Sequence, residues 1–283
     1  MTINRKERAE IARQTLEVIE QGFYLNDAEE KVQIEGQVEY AVENSQLYSP
    51  QKLQEIVEKS EVTNTFQNRT IIEVNNESSL QAAERTARHE YNNPACLNFA
   101  SAKNPGGGFL EGSGAQEESL ARSSALYPCI KQMNEMYNAN KNYGSSLYLD
   151  YMIYSPDVPV FRRDNGEFLN SPYKMSFITA PAVNAGAVKA NEPENVDKIS
   201  PTMKQRIEKI LSLAKFKEVD ALILGAFGCG VFQNNHRDVA EYFSDYLHED
   251  ERFTEAFEKV IFAVLDSSPN QETYKTFENK LQK

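Results

Sequence analysis

Twice along this chain, an apolar run of strand length ends in a glycine-rich loop that opens directly onto a helix-forming segment. Ala95 to Ala100 leads into Gly106, Gly107 and Gly108, and a helix is expected from near Gln116. Ala221 to Gly225 leads into Gly228 and Gly230, with a helix expected from about Asn235. A continuously apolar strand needs cover on both faces. Strands of that kind alternating with helices therefore predict an α/β fold, a largely parallel or mixed sheet sandwiched by helices.

The remaining pattern fits that frame. Thr70 to Val74, Tyr151 to Tyr154, Met175 to Ala180 and Val260 to Leu265 read as further strands. Ser78 to Tyr91, Met203 to Ala214 and a segment from about Gln271 read as helices. Near the N-terminus, Ile11, Leu16, Val18 and Ile19 recur at helical spacing, with Gly22 as a C-cap. Lys31 to Ile34 suits a short strand, and Pro50 starts a helix with Leu53, Ile56 and Val57 on its apolar face. Residues 1–67 carry no chemical motif and read as an N-terminal helical accessory region on a main domain of residues 68–283. Ser155 to Pro172, with Pro156, Pro159 and Pro172 among charges, reads as a long surface excursion.

Composition narrows the chemistry. The formal net charge of −12 disfavours long-range attraction to nucleic acid, so direct DNA binding is not expected. A phosphate ligand must then be held by local geometry. Cys96, Cys129 and Cys229 are sparse and unpaired in spacing, which suits a reducing compartment. The charged N-terminus and the lack of a long apolar stretch point to a cytoplasmic protein without membrane contact. His89, His236 and His248 do not cluster with a cysteine, so neither metal nor cofactor is expected.

Both loops have the makings of an anion site. Consecutive glycines let backbone lie against a ligand, and a helix N-terminus offers unpaired N–H groups. A blander reading is also open. The glycines could form plain turns, Ser113 and Gln116 match a capping box, and Glu117 and Glu118 are acids typical of a first helical turn. A Rossmann loop is disfavoured, because G-x-G-x-x-G would need glycine where Gln233 stands. Cys229 could be a nucleophile only with a histidine partner, and none is assignable. Two such loops at carboxyl ends of strands in one sheet would face a common crevice, as a nucleotide diphosphate site requires.

Gly106 to Gly108, seven residues, then Gln116, Glu117 and Glu118 resembles the signature of poly(ADP-ribose) glycohydrolases. Its setting, from Asn98 to Gly108, resembles the microbial-type branch. Gly225 to Asn234 is similar to that branch's diphosphate loop, and Ser155 to Phe161 and Ile178 to Asn184 are similar to it as well. The resemblance implies a macrodomain-like sheet with ADP-ribose at its crest. It also implies hydrolysis of the ribose–ribose O-glycosidic bond of poly(ADP-ribose) from chain ends, on modified proteins. Carried over, Glu118 is the catalytic acid/base and Glu117 the neighbouring acid that orients ribose. Asn104 lies by the distal ribose, Gly106 to Gly108 and Gly228, Cys229, Gly230, Val231 and Phe232 line the diphosphate, Phe227 packs on ribose, and Gln116 completes the signature.

Two neighbours on one helix do not flank a bond from opposite sides as in ordinary glycosidases, so Glu117 is cast as a positioning residue. A helix N-terminus lowers a carboxyl pKa, whereas burial raises it. An exposed Glu118 held by helix amides would undermine the acid role. Alternatives are a hydrolase for mono-ADP-ribosylated protein or ADP-ribose esters, and a non-catalytic ADP-ribose-binding module.

Overall fold

The computed structural model describes residues 3–60, 66, 68–89 and 91–282. The domain boundary expected at residue 67 lies outside the described residues. In chain order the elements are α1 (Arg5–Gln21), β1 (Phe23–Leu25), β2 (Lys31–Gln33), α2 (Glu35–Asn44), β3 (Gln46–Tyr48), α3 (Pro50–Glu58), β4 (Ile71–Asn75), α4 (Ser79–Thr86) and β5 (Ala95–Phe99). After the first glycine loop come α5 (Gln116–Ser123), α6 (Leu126–Lys131), α7 (Asn134–Asn142), β6 (Met152–Arg162), β7 (Phe168–Ala180) and α8 (Ala185–Asn191). The chain ends with α9 (Ile199–Phe216), β8 (Ala221–Leu224), α10 (His236–Ser244), β9 (Lys259–Ala263) and α11 (Glu272–Leu281).

Seven strands form one mixed sheet in the order β3-β6-β7-β5-β8-β9-β4. β3, β6 and β7 are antiparallel, whereas β7, β5, β8, β9 and β4 run parallel. Alternate residues feed two cores. Leu97, Leu222, Leu224 and Phe262 enter one apolar cluster, while Cys96, Ile223 and Ile261 enter the cluster on the opposite face. Both faces are buried, which is why these strands carry apolar residues at every position rather than at every second one.

Local signals explain several helix starts. The Asn4 side chain accepts from the amides of Lys6 and Glu7, and the Glu7 carboxylate accepts from Asn4 N–H. Gly22 ends α1 in the left-handed region, φ +75°. Ser49 caps α3 ahead of Pro50, and Ser78 with Gln81 forms a capping box on α4.

Three expectations change. The proline-bearing stretch Ser155 to Pro172 is not a surface excursion but the arms of the β6–β7 hairpin, with Val158, Val160 and Phe161 fully buried. β3 pairs β6 only at Met152 to Tyr154. Beyond that point the same side of β6 meets Ser124 in a bridge with Val160, where Pro159 takes part through its carbonyl, accepting from Ala125 N–H at 3.0 Å, so proline's missing N–H costs no ladder bond. The N-terminal region is more than helical. It holds the β1–β2 hairpin, and it supplies β3 as an edge strand of the main sheet. The capping box expected from Ser113 and Gln116 does not form: Ala115 is the N-cap of α5 and makes no side-chain bond.

Candidate active site

β5 and β8 are adjacent parallel strands, with Cys96 paired to Ile223, so both glycine loops leave the same end of the sheet side by side. The N-terminus of α5 packs against the first of them. Glu117 and Glu118 stand in its first turn, and both are buried, at 3% and 9% exposure.

The two acids are held differently. Glu117 is enclosed: its Oε2 accepts from Ser101 N–H at 2.7 Å and its Oε1 from Asn98 Nδ2 at 3.4 Å. Burial pushes its carboxyl up to about 8, and the Glu118 charge adds to that, while the bonds from Ser101 and Asn98 offset only part. Glu117 is therefore a neutral acid at pH 7, with an O–H to donate. Glu118 is held at one oxygen only, Oε1, by Gly108 N–H at 3.0 Å. Its Oε2 is buried, and among the described residues no donor reaches it. A buried acceptor left open in this way is the oxygen that can meet a reacting group. No amide of its own helix holds Glu118, so the arrangement that would undermine an acid role is not present.

The first loop is shaped around these carboxylates. Gly107 has φ +57°, and a methyl group there would run into Glu118 Oε1 and approach Glu117 Oε2 to 3.2 Å. Gly106 packs on the rings of Phe109 and Tyr127, and Gly108 on the Ser113 hydroxyl. Asn104 is exposed, and its carbonyl accepts from Gly107 N–H at 3.0 Å to close the turn. Gln116 faces inward. Its Oε1 accepts from Phe99 N–H at 2.9 Å, and its Nε2 donates to Leu97 O at 2.8 Å and Ser79 Oγ at 3.1 Å. Both polar ends are used in tying α5 to its neighbours, so Gln116 fixes the start of the helix that carries the two acids.

In the second loop, Gly228 has φ +73° and lies against Ala182 and Asn234. Asn234 Nδ2 staples the loop through Val183 O at 2.7 Å and Gly228 O at 3.0 Å, while Asn235 caps α10. Among the described residues, the amides of Gly228, Gly230, Val231 and Phe232 donate to no protein acceptor. Val231 is 78% exposed, and a methyl on Gly230 would meet nothing within 4 Å. This is a cradle of free N–H groups with room for an anion.

One residue of this loop departs from expectation, and a second agrees with it. The ring of Phe227 is fully buried, tilted against Phe99 at 5.7 Å, so it supports the loop from beneath and has no face for ribose. Burial pushes the Cys229 thiol up to about 12, which keeps it protonated and unsuited to nucleophilic work. Phe232 is half-buried and faces Tyr148 at 6.1 Å. Tyr148 is itself fixed at φ +56°, with its carbonyl held by the buried Arg206 at 2.9 Å.

Sequence reasoning missed Asn98, Ser101 and Tyr148. Asn98 was legible only as a polar residue inside an otherwise apolar strand. Among the described residues, no group of three or more His, Cys, Asp or Glu side chains is placed to hold a metal ion, and no helix is long and apolar enough to cross a membrane.

Comparison with known proteins places this geometry. The family model "Microbial-type PARG, catalytic domain" matches residues 12–163. The chain is similar to the crystal structure of poly(ADP-ribose) glycohydrolase from Thermomonospora curvata, with 39% identity and a TM-score of 0.94 over 98% of this chain and 100% of that one. The same Thermomonospora curvata protein bound to the inhibitor ADP-HPD gives 39% identity and a TM-score of 0.91, again over 98% and 100%. The poly(ADP-ribose) glycohydrolase from Deinococcus radiodurans in complex with ADP-ribose gives 39% identity and a TM-score of 0.82 over 89% of this chain and 98% of that one. No match is found among curated proteins.

Proposed function

The chain belongs to the microbial-type poly(ADP-ribose) glycohydrolase family, and from that membership we propose that it hydrolyses the ribose–ribose O-glycosidic bond of poly(ADP-ribose), working from chain ends and releasing ADP-ribose. The observation that carries this reading is the asymmetry of the acid pair. One oxygen of Glu118 is fixed by Gly108 N–H, the other is buried and unclaimed, and the enclosed acid beside it is neutral.

In the first step the protonated Glu118 donates to the departing ribose oxygen. The C–O bond breaks with its electron pair going to that oxygen, and an oxocarbenium-like centre forms. In the second step the Glu118 carboxylate takes a proton from water as the water oxygen bonds to the anomeric carbon. A single residue in both roles supplies roughly 10²–10⁴-fold of rate. Glu117 donates its O–H to a ribose hydroxyl and keeps a second negative charge out of the pair. The free amides of Gly228, Gly230, Val231 and Phe232 take the diphosphate, which is how an acidic chain can hold an anionic ligand by local geometry.

Incubation with poly(ADP-ribose), with Glu118→Gln in parallel and chromatography of the products, tests this. ADP-ribose released from the first time points by the wild type and lost in the variant is expected. Oligomeric products early on would overturn the chain-end mode, and no release by the wild type would overturn the polymer substrate.

A further inference from the structure

The N-terminal helix lies across the catalytic loop, and it is attached in two separable ways. Ala12 and Leu16 of α1 pack on Phe109, Ala121 and Tyr127, which suffices to dock the helix. Its arginines do something else. Arg5 Nε donates to Glu111 O at 2.9 Å, and Arg8 Nε donates to Gly112 O at 2.8 Å. Arg8 Nη1 is tied back to Ile3 O at 2.7 Å, which fixes the guanidinium. The next carbonyl, Ser113 O, accepts from Arg122 Nη1 at 2.6 Å, and the Arg122 carbonyl in turn accepts from Thr15 Oγ1 of α1 at 2.6 Å. Three successive carbonyls of one turn are thus each held by an arginine. Burial and the neighbouring Arg8 charge push the Arg122 guanidinium down to about 10, against the opposing pull of the Glu118 and Asp164 charges, and among the described residues no carboxylate is bonded to either arginine.

The gripped turn leads directly to the acid. Glu111 N–H and Ser113 N–H both donate to Gly108 O, at 3.2 and 3.0 Å, and Gly108 N–H is the donor to Glu118 Oε1. Glycine is required at Gly112 (φ +76°), where a methyl would run into the Arg5 carbonyl, and at Gly114 a methyl would press on the Arg8 guanidinium carbon, 3.1 Å away. We propose that Arg5 and Arg8 are positioning residues for catalysis, holding the turn from Glu111 to Ser113 and, through Gly108, the Glu118 carboxylate. The N-terminal helix is on this view part of the catalytic apparatus. The inference rests on Glu118 being the catalytic acid.

The test compares the wild type with Arg5→Ala, the Arg5→Ala/Arg8→Ala double variant and Arg8→Lys. Arg13→Ala on the same helix is the control, since Arg13 pairs only with Glu10 on the exposed face. Two quantities are read: steady-state release of ADP-ribose, and hydrogen exchange of the amides of residues 108–113. The double variant is expected to lose about tenfold or more in kcat with KM held within about threefold, and to exchange those amides at least about tenfold faster. Arg8→Lys, whose ammonium reaches one carbonyl but not both, recovers part of the loss, and Arg13→Ala matches the wild type. Wild-type kcat and exchange in the double variant would overturn the inference, as would an equal loss in Arg13→Ala. Arg5→Ala, at an exposed position, serves if the double variant does not fold. A wild type that releases no ADP-ribose defeats the proposed activity instead, and the exchange of 108–113 then decides on the grip alone.

Discussion

The glycines of the first loop are all enclosed by side chains, Gly107 by the two buried acids, whereas those of the second are divided between the protein's wall and open space. At Gly107 an added methyl would displace Glu118 Oε1. At Gly228 it would press on Ala182, 2.5 Å away, and at Gly230 it would touch nothing. The same residue type at similar places after adjacent parallel strands therefore serves three ends: admitting a carboxylate, allowing close packing, and leaving room for a ligand. Backbone torsion alone does not separate the first two, since Gly107 and Gly228 both have positive φ. What stands within a methyl's reach separates all three.

Substitutions can break that comparison, and the largest effect is expected at the acid itself. Glu118→Gln should lower kcat by about 10³-fold, measured as ADP-ribose release, because it removes both proton donor and base. Gly107→Ala comes next. Pushing the Glu118 carboxylate aside should cost about 10²-fold in kcat, as displacements near 1 Å do. The left-handed backbone adds about 1–2 kcal/mol of instability. Unchanged turnover in Gly107→Ala would mean that the tight first loop is merely a turn.

Gly228→Ala should act on stability instead, by about 1–3 kcal/mol from overpacking against Ala182 on top of the same left-handed cost of about 1–2 kcal/mol, with kcat of the folded fraction nearly intact. Calorimetry together with turnover separates the two loops on this point.

A pH series sharpens the contrast within the acid pair. Glu117 binds its proton more tightly in the folded chain, at about 8, than at its ordinary value of 4.5. Its contribution to stability is thus complete below the ordinary value and drains away as pH rises toward 8. Glu117→Gln should flatten that decline, seen as a melting temperature that changes less between about pH 5 and pH 8 than the wild type's. Equal slopes would show that Glu117 is not buried as an acid. The smallest effect in the free protein belongs to Gly230→Ala: below about 0.5 kcal/mol in stability. Its signature should lie in ADP-ribose binding, weakened about threefold in a calorimetric titration.

Much of the scaffold was legible because its signals are local. Apolar runs marked β5, β8 and β9, and Gly22, Pro50 and Asn235 marked helix ends. What escaped lacked such marks. Helix α2 starts at Ile34 without a side-chain cap, α6 contains Pro128, and β3 is three residues long. The β6–β7 hairpin was hidden by its prolines, of which Pro156 and Pro159 lie in β6 beyond the reach of β3 and Pro172 lies in β7. In the site, the glycines and the two acids announced themselves by spacing. Phe227 and Gln116 belonged to the same motifs, yet the fold turns both inward, and no local pattern encodes which way a side chain faces.

The amino-acid sequence by itself determined that adjacent-type strands would deliver two glycine loops and a pair of acids to one end of a sheet. Strand propensity, glycine torsions and helix starts act over a few residues. Only the tertiary structure decided that Glu117 is enclosed and neutral while Glu118 keeps one oxygen open, and that α1 holds the loop behind it. Protonation follows from desolvation, and desolvation is set by groups brought together from Asn98, Ser101 and Gly108. The grip comes from farther still, since Arg5 and Arg8 meet carbonyls more than a hundred positions along the chain.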